Sequence, residues 1–243
     1  MLVVTYHAIG APPSRVTAPA RWLEDDLSAL IDAGFSFASL DACAEWLAGR
    51  LVLPARTAVI TFDDGYASVV TVALPVLQRL QVPSAVFVVG GRIGLDNQWP
   101  GQPGWVPSLP LLDGRMLRDL TEAGVTIGSH SWSHPRLPAL GDEALHDELV
   151  GAADRLEQAV DAPVRHLAYP YGPCGTREIA KARSRFRTAA TAVCRPVHQH
   201  SDPHALGRLD AHDLHGAARL NVLGSIALTP YLAARRGLRA VLR

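Results

Sequence analysis

The sequence predicts an α/β fold made of parallel βα units, a distorted or incomplete (β/α) barrel of seven or eight units. Three observations carry this. Short, uniformly apolar runs such as TAVITF and SAVFVV read as strands buried on both faces, as a helix-covered parallel sheet requires. Between them lie stretches with apolar residues three and four apart, the spacing of one helix face. The alternation recurs about six or seven times, too often for a small sandwich, and an open doubly wound sheet ranks second.

The elements follow in chain order. MLVVTYHAIG opens with an apolar strand that runs into Tyr6 and His7. ARWLEDDLSALIDAGF places Trp22, Leu23, Leu27, Leu30 and Ile31 at helical spacing, and Gly34 ends that helix as its C′ residue. TAVITF leads through Asp63-Asp64-Gly65 into a helix around VVTVALPVLQRLQ, with a kink expected at Pro75. SAVFVV is a strand, RMLRDLTEAG a helix closed by Gly124, VTIGSH a strand, DEALHDELVGAADRLEQAV a long amphipathic helix, and RHLAY the next strand. REIAKARSRF reads as helix, RTAATAV as extended, and ARLNVLGSIALTPYLAARRGLRAVLR as largely helical. From Gly90 to Gly114 the chain is rich in Gly, Pro and Trp without periodicity, and loops this long in compact domains are usually functional or disordered. Trp99 and Trp105 favour a folded lid or a sugar-facing wall; the alternative is aromatic packing that holds the loop down. With no repeat or linker, residues 1–243 are expected to form a single domain.

Composition removes several function classes. At 243 residues and 48% hydrophobic content, the chain can bury a large core. Its 23 Lys and Arg balance 23 Asp and Glu, so no global field recruits nucleic acid, and no nucleic-acid partner is expected. Cys43, Cys174 and Cys194 form no CxxC pair, which fits a reducing compartment. The N-terminus has no basic n-region, and Thr5, Tyr6 and His7 interrupt its apolar run, so a cytoplasmic location is expected. No window approaches the roughly 18 apolar residues of a membrane span.

Three strand ends carry the candidate chemistry. In TFDDGY, Asp63 and Asp64 stand at the end of an apolar strand, where neighbouring side chains project in different directions; one can bind a metal while the other handles a proton. The alternative is that one of them caps the following helix. In GSHSWSHP, His130 and His134 are four apart, and Pro135 biases His134 away from the helical region, so a tight loop is expected. Two histidines and one aspartate make a three-ligand site with an open position, the pattern of a catalytic zinc centre; exposed or core histidines are the alternative. In AYPYG, Pro170 fixes a turn, Tyr171 offers a backbone N–H and an aromatic face, and Gly172 permits close approach. That turn could equally be structural.

TFDDGY, HSWSH and the YPYG turn resemble the first three motifs of the polysaccharide deacetylases of the NodB-homology group, carbohydrate esterase family 4, and the resemblance spans most of the chain. It implies a NodB-like distorted barrel and metal-dependent removal of acetyl groups from an N-acetylated sugar, oligosaccharide or polysaccharide precursor. Carried over by position, Asp63 is the general base, and Asp64, His130 and His134 hold one divalent ion, Zn2+ first, with Co2+ or Ni2+ also accepted. Tyr171, Pro170, Gly172, Tyr66 and Trp132 are the implied substrate contacts. The chain departs from the family pattern twice. Ala168 and Tyr169 stand where an arginine commonly orients the base, with Arg165 nearby, and no late Leu-x-His motif follows His215 to supply the acid. A subgroup resembling the poly-N-acetylglucosamine deacetylases takes its acid from an N-terminal Tyr-His strand, so His7 is the implied general acid. The rivals are histidines between His198 and His215, His212 and His215 foremost. Arg208 or Asp210 is a candidate for orienting the acid. Hydrolysis of another C–N bond, as in cyclic ureides, and an inactive carbohydrate-binding protein are the competing functions.

A cytoplasmic location points to a precursor or lipid-linked substrate. LAARRGLRAVLR carries Arg235, Arg236, Arg239 and Arg243, which could rest on an anionic membrane surface; a terminal helix docked on the barrel with its arginines in water is preferred.

Overall fold

The computed structural model describes residues 1–10 and 14–241, and side chains up to residue 237. In chain order its elements are β1 (Leu2–Tyr6), β2 (Ala8–Ile9), β3 (Thr17–Ala18), α1 (Ala20–Asp32), β4 (Ser36–Phe37), α2 (Leu40–Leu47) and β5 (Thr57–Phe62). There follow α3 (Leu74–Arg79), β6 (Ser84–Val88), α4 (Gly114–Glu122), β7 (Thr126–Ser129), α5 (Asp142–His146), α6 (Ala152–Val160) and β8 (His166–Ala168). The chain ends with α7 (Thr176–Arg183), β9 (Thr188–Ala190), β10 (Leu209–Asp210), α8 (Ala211–Arg219) and α9 (Leu228–Val241).

Among the described residues, one parallel sheet runs β10-β1-β5-β6-β7-β8-β9, with β4 also paired to β5. It curls, because Leu206, just before β10, bridges Ala190 of β9 in parallel, and Thr191 N donates to Leu206 O at 2.8 Å. The result is the incomplete, distorted barrel expected from the βα alternation. Thr5 lies opposite both Asp210 and Thr61, so β1 stands between the late strand β10 and β5, the strand that precedes Asp63.

Period-two alternation divides the strands into two faces. Leu2, Val4 and Tyr6, with Ala58, Ile60 and Phe62, join Leu23, Leu27 and Leu30 of α1 in the larger core under the helices. Val3, Val59, Ala85, Phe87, Ala168 and Ala190 fill the inside, with Leu40 and Cys43 of α2 and with Met1 packed beside them. Helix α2 thereby plugs the end from which the strands start. The inward parity continues through Thr5 and Thr61 to His7 and Asp63 at the opposite edge, where catalytic groups of such sheets gather.

Most predicted elements are present, with Gly34 and Gly124 both at positive φ after their helices. Two predicted helices contain a π-helical turn, Val69–Ala73 before α3 and Asp147–Gly151 between α5 and α6. At the first, the backbone stays helical from Ser68 to Arg79, and the π turn immediately precedes Leu74-Pro75, so the irregularity expected at Pro75 takes the form of a π turn in a continuous helix. The short elements β2, β3, β4, α2 and β10 carry too little periodicity to be read from sequence. Helix α9 is docked as preferred: Leu232 is buried, the Tyr231 hydroxyl donates to Asp213 O, and Arg235 pairs with Asp213. Arg235 is thus turned onto the protein, and the side chains of Arg239 and Arg243 lie outside the described residues. No helix among the described residues is long and apolar enough to cross a membrane.

Candidate active site

At the C-terminal edge of the sheet lies a cavity of about 240 Å³. Its walls include His7, Asp63, Asp64, His130 and His134. Each comes from a strand end. Asp63 N still donates to Tyr6 O at 2.8 Å, which extends the ladder by one residue and keeps the Asp63 side chain facing inward. Asp64 then enters the left-handed region (φ 68°), and Gly65 follows at 74°, a reversal that sends adjacent carboxylates in different directions. Neither caps a helix. Asp63 is taken by a cation and Asp64 faces the two histidines.

Asp64 Oδ1 is 3.3 Å from His130 Nε2 and 3.3 Å from His134 Nε2. That is the spacing of two ligands on a tetrahedral ion with bonds of about 2.0–2.1 Å, whose edge is about 3.3 Å. All three residues are buried, and their ligand atoms lie within 4.8 Å of one another. His130 Nδ1 contacts Ala168 O at 2.7 Å, which fixes the ring with Nε2 toward Asp64, the usual outer support of a ligating histidine. The donor set therefore fits a divalent ion. Burial opposes ionisation of Asp64, and hydrogen bonds from His130 and His134 overcome it, so its carboxyl stays well below the usual range. Burial lowers His134, the state a metal ligand needs, whereas in His130 the carboxylates of Asp63 and Asp64 outweigh burial and raise it.

Arg208 supplies what the third motif lacks. Its Nη1 donates to Asp63 Oδ1 at 2.6 Å and its Nη2 to Asp63 Oδ2 at 2.7 Å, a bidentate pair with both partners buried. Nε donates to Thr191 O at 2.9 Å and Nη1 also reaches Thr5 Oγ1 at 3.1 Å, so the guanidinium itself is held from three sides. Burial works against the Asp63 charge, and Arg208 more than offsets it, holding the carboxyl below its ordinary value. Arg208 is thus paired with the predicted base, Asp63. Arg165 is exposed and does not line this cavity; its charge acts on Asp41.

Among the described residues, the histidines lining the cavity are His7, His130 and His134. The rivals of His7 lie elsewhere. His215 Nδ1 contacts Asp26 at 2.7 Å and its ring stacks on Trp22 at 4.0 Å, while His212 meets Trp22 edge-on and contacts Asp210 at 3.0 Å. His198 and His200 face a cleft beside α9, and His204 contacts Phe186 O. Asp210 does reach the cavity wall, with its carboxylate accepting from His212 N as the cap of α8.

The predicted substrate contacts divide. Tyr171 (φ 61°) and Gly172 (φ 92°) line the cavity, and the Tyr171 ring sits edge-on to His134 at 4.5 Å. Gly172 is obligatory, since a Cβ there would meet Ala192 N at 2.6 Å. Pro170 turns instead to a shallow cleft with Arg136 and Pro138. Tyr66 is buried under the long loop and lines a separate apolar groove, its hydroxyl accepting from Asn97 at 3.1 Å and also interacting with the Asp64 carboxylate. Trp132 does not reach the cavity: its indole lies against Gly90 and Gly91 with the Arg155 guanidinium 4.2 Å from the ring centroid. The aromatic wall comes from the long loop. Trp99 is buried 4.2 Å from the His134 ring centroid and lines the cavity with Gln102, whereas Trp105 is exposed. Asn97 staples this loop by accepting from Leu109 N and donating to Pro107 O.

Known proteins are similar to this chain in sequence and in fold. The family model described as polysaccharide deacetylase matches residues 51–186, more than half of the chain. The match contains Asp63, Asp64, His130, His134 and Tyr171 and leaves out His7 and Arg208. A chitooligosaccharide deacetylase of Sinorhizobium fredii is 27% identical over 151 residues, 61% of this chain and 59% of that protein. The chain spans 56% and 59% of the lengths of the curated relatives it matches. Among solved structures, IcaB from Ammonifex degensii superposes with a TM-score of 0.79 at 24% identity, covering 90% of this chain and 96% of that one. The Streptococcus pyogenes deacetylase PplD, solved in complex with acetate, gives 0.74 at 18%, covering 86% and 91%. At these identities the likeness is one of fold.

Proposed function

The chain belongs to the polysaccharide deacetylase family, and from that premise we propose that it is a metal-dependent hydrolase of N-acetylated sugars, oligosaccharides or polysaccharide precursors, releasing acetate and a free amino sugar. One observation carries the reading: the buried Asp64, His130 and His134 share a single cavity with the Arg208-paired Asp63 and with His7.

Asp64, His130 and His134 would hold the divalent ion. Such an ion supplies Lewis-acid polarisation of the acetyl carbonyl and a water whose pKa falls from about 15.7 toward 7. Asp63 takes the proton of the attacking water. The Arg208 pair keeps it ionised and aimed, and each carboxylate oxygen retains a lone pair for that work. The Tyr171 N–H is the candidate donor to the developing oxyanion, a contact whose loss typically costs about 2.7–4 kcal/mol. His7, which lines the same cavity, delivers a proton to the departing nitrogen, because an amine anion is too basic to leave unaided. Trp99 and Tyr171 offer apolar faces to the sugar or its acetyl methyl.

The test is acetate release from a panel of N-acetylated chitooligosaccharides and cyclic ureides, with the metal-free protein and after addition of zinc, cobalt or nickel. Metal-dependent acetate release supports the reading. Ureide opening without acetate release, or sugar binding with no turnover under any metal, overturns it.

A further inference from the structure

We propose that Glu148 is a positioning residue for the metal centre, acting through the turn that joins its two histidines; this rests on the reading of Asp64, His130 and His134 as ligands. The connecting residues are Ser131, Trp132 and Ser133. Ser131 (φ 66°) and His134 (φ 61°) both occupy the left-handed region, which residues with a side chain hold only when their surroundings enforce it.

The enforcement can be traced group by group. Ser131 O accepts from Gly90 N at 3.0 Å and Trp132 O from Gly91 N at 2.8 Å, so the carbonyls of the turn are taken by the start of the long loop. A Cβ on Gly91 would lie 2.7 Å from Trp132 O, so this seat admits only glycine. The amides point the other way. Trp132 N and Ser133 N both donate to Glu148 Oε2 at 2.9 Å, and Ser133 Oγ donates to Oε1 at 2.5 Å. One carboxylate therefore collects three donors from two consecutive residues. Glu148 reaches them from the π-helical turn Asp147–Gly151, and a π turn inside a longer helix often marks a functional site.

The two histidines are fixed by different means. His130 follows β7 directly, its N donating to Val88 O at 2.8 Å and its ring held at Ala168 O. His134 N has only Ser131 Oγ, inside the same turn, at 3.0 Å, and His134 Nδ1 is buried with no partner. The His134 backbone is thus placed relative to His130 through the turn that Glu148 anchors, while its ring packs against Trp99 and Tyr171. None of the three donors to Glu148 is a ligand atom, so the residue acts on affinity through geometry.

The experiment is zinc(II) affinity of the whole chain by chelator competition, with melting of the metal-free protein in parallel. Glu148→Ala should weaken zinc binding about 10–100-fold, the usual loss for an outer partner of a metal ligand, without lowering the metal-free melting point in proportion. Glu148→Gln should bind nearly as the parent does, because its carbonyl oxygen can accept both amides while its NH2 donates to Ser133 Oγ. Should the alanine variant not fold, Glu148→Asp, one methylene too short, replaces it with the same expectation. Unchanged zinc affinity in the alanine or aspartate variant, or equal loss in the glutamine variant, overturns the positioning role alone. A parent protein that binds no zinc overturns the metal-centre reading, and this inference with it.

Discussion

Arg208 grips Asp63 with two hydrogen bonds of 2.6 and 2.7 Å across a sequence separation of 145 residues. The pair is buried, so each partner depends on the other: two ions removed from water tolerate the interior only together. Arg208 thereby holds the Asp63 carboxyl below its ordinary value in a place where burial alone would raise it.

Arg208→Ala leaves the carboxylate uncompensated and should destabilise the fold by about 3–5 kcal/mol. It also reverses the balance at Asp63, because the lowering influence is lost and burial, which raises the pKa, remains. The acid limb of kcat/KM should move to higher pH. Arg208→Lys restores charge without the two-pronged geometry and should recover stability better than rate. An acid limb that stays in place in both variants would show that Asp63 is not the ionised base.

Base and ligand roles separate by two measurements on two variants. Asp63→Asn should lose turnover by about 10²–10⁴ while retaining zinc. His130→Ala should lose zinc and turnover together, as should exhaustive chelation of the parent protein, with recovery on adding the ion back. Acetate release at the parent rate from the asparagine variant refutes the assignment of the base.

For His7 the leaving group provides the control. His7→Ala should spare zinc affinity and lower acetamide hydrolysis by about 10²–10⁴. Against an aryl acetate, whose phenolate departs without a proton, the deficit should largely vanish. His212→Ala and His215→Ala should leave the rate intact, since both rings are engaged around Trp22 outside the cavity. A rate loss at His212 with none at His7 moves the acid to α8.

The cluster of Asp64, His130 and His134 was legible because its members follow strand ends within short motifs, where strand, carboxylate and turn residues lie side by side. Arg208 was not. Its role depends on β10 lying beside β1 in register Thr5 to Asp210, a neighbour relation that no local pattern encodes. The same limit misplaced Trp132. The family resemblance implied a sugar contact, but the glycines on which Trp132 packs are about forty residues earlier, and only the sheet brings them together. Trp99 and Trp105 read alike from the sequence, as a lid or wall with loop packing as the alternative; only Trp99 lines the cavity, and nothing local in the sequence separates it from the exposed Trp105. The short helix α2 was missed, although it closes the barrel, since eight residues show little more than two turns of pattern.

Outside the cavity, Asp26 predicts how stability responds to pH. It is fully buried between the Tyr6 hydroxyl at 3.1 Å and His215 Nδ1 at 2.7 Å. Burial pushes its carboxyl up to about 6, against the lowering effect of the bonds from His215 and Tyr6. A carboxyl whose folded pKa exceeds its unfolded value, near 3.9, holds its proton more tightly in the folded state. Its contribution is therefore fully present below about pH 4 and is lost as pH rises through about 6, on the order of 3 kcal/mol in all. Asp26→Asn removes that titration and should flatten the pH dependence of the urea midpoint between pH 4 and 6. The variant should therefore gain relative to the parent as pH rises. A pH profile that runs parallel in the two proteins across that window refutes the raised carboxyl. An opposite slope in the parent, with stability rising steeply from pH 4 to 6, would mean that the bonds from His215 and Tyr6 outweigh burial and hold Asp26 ionised.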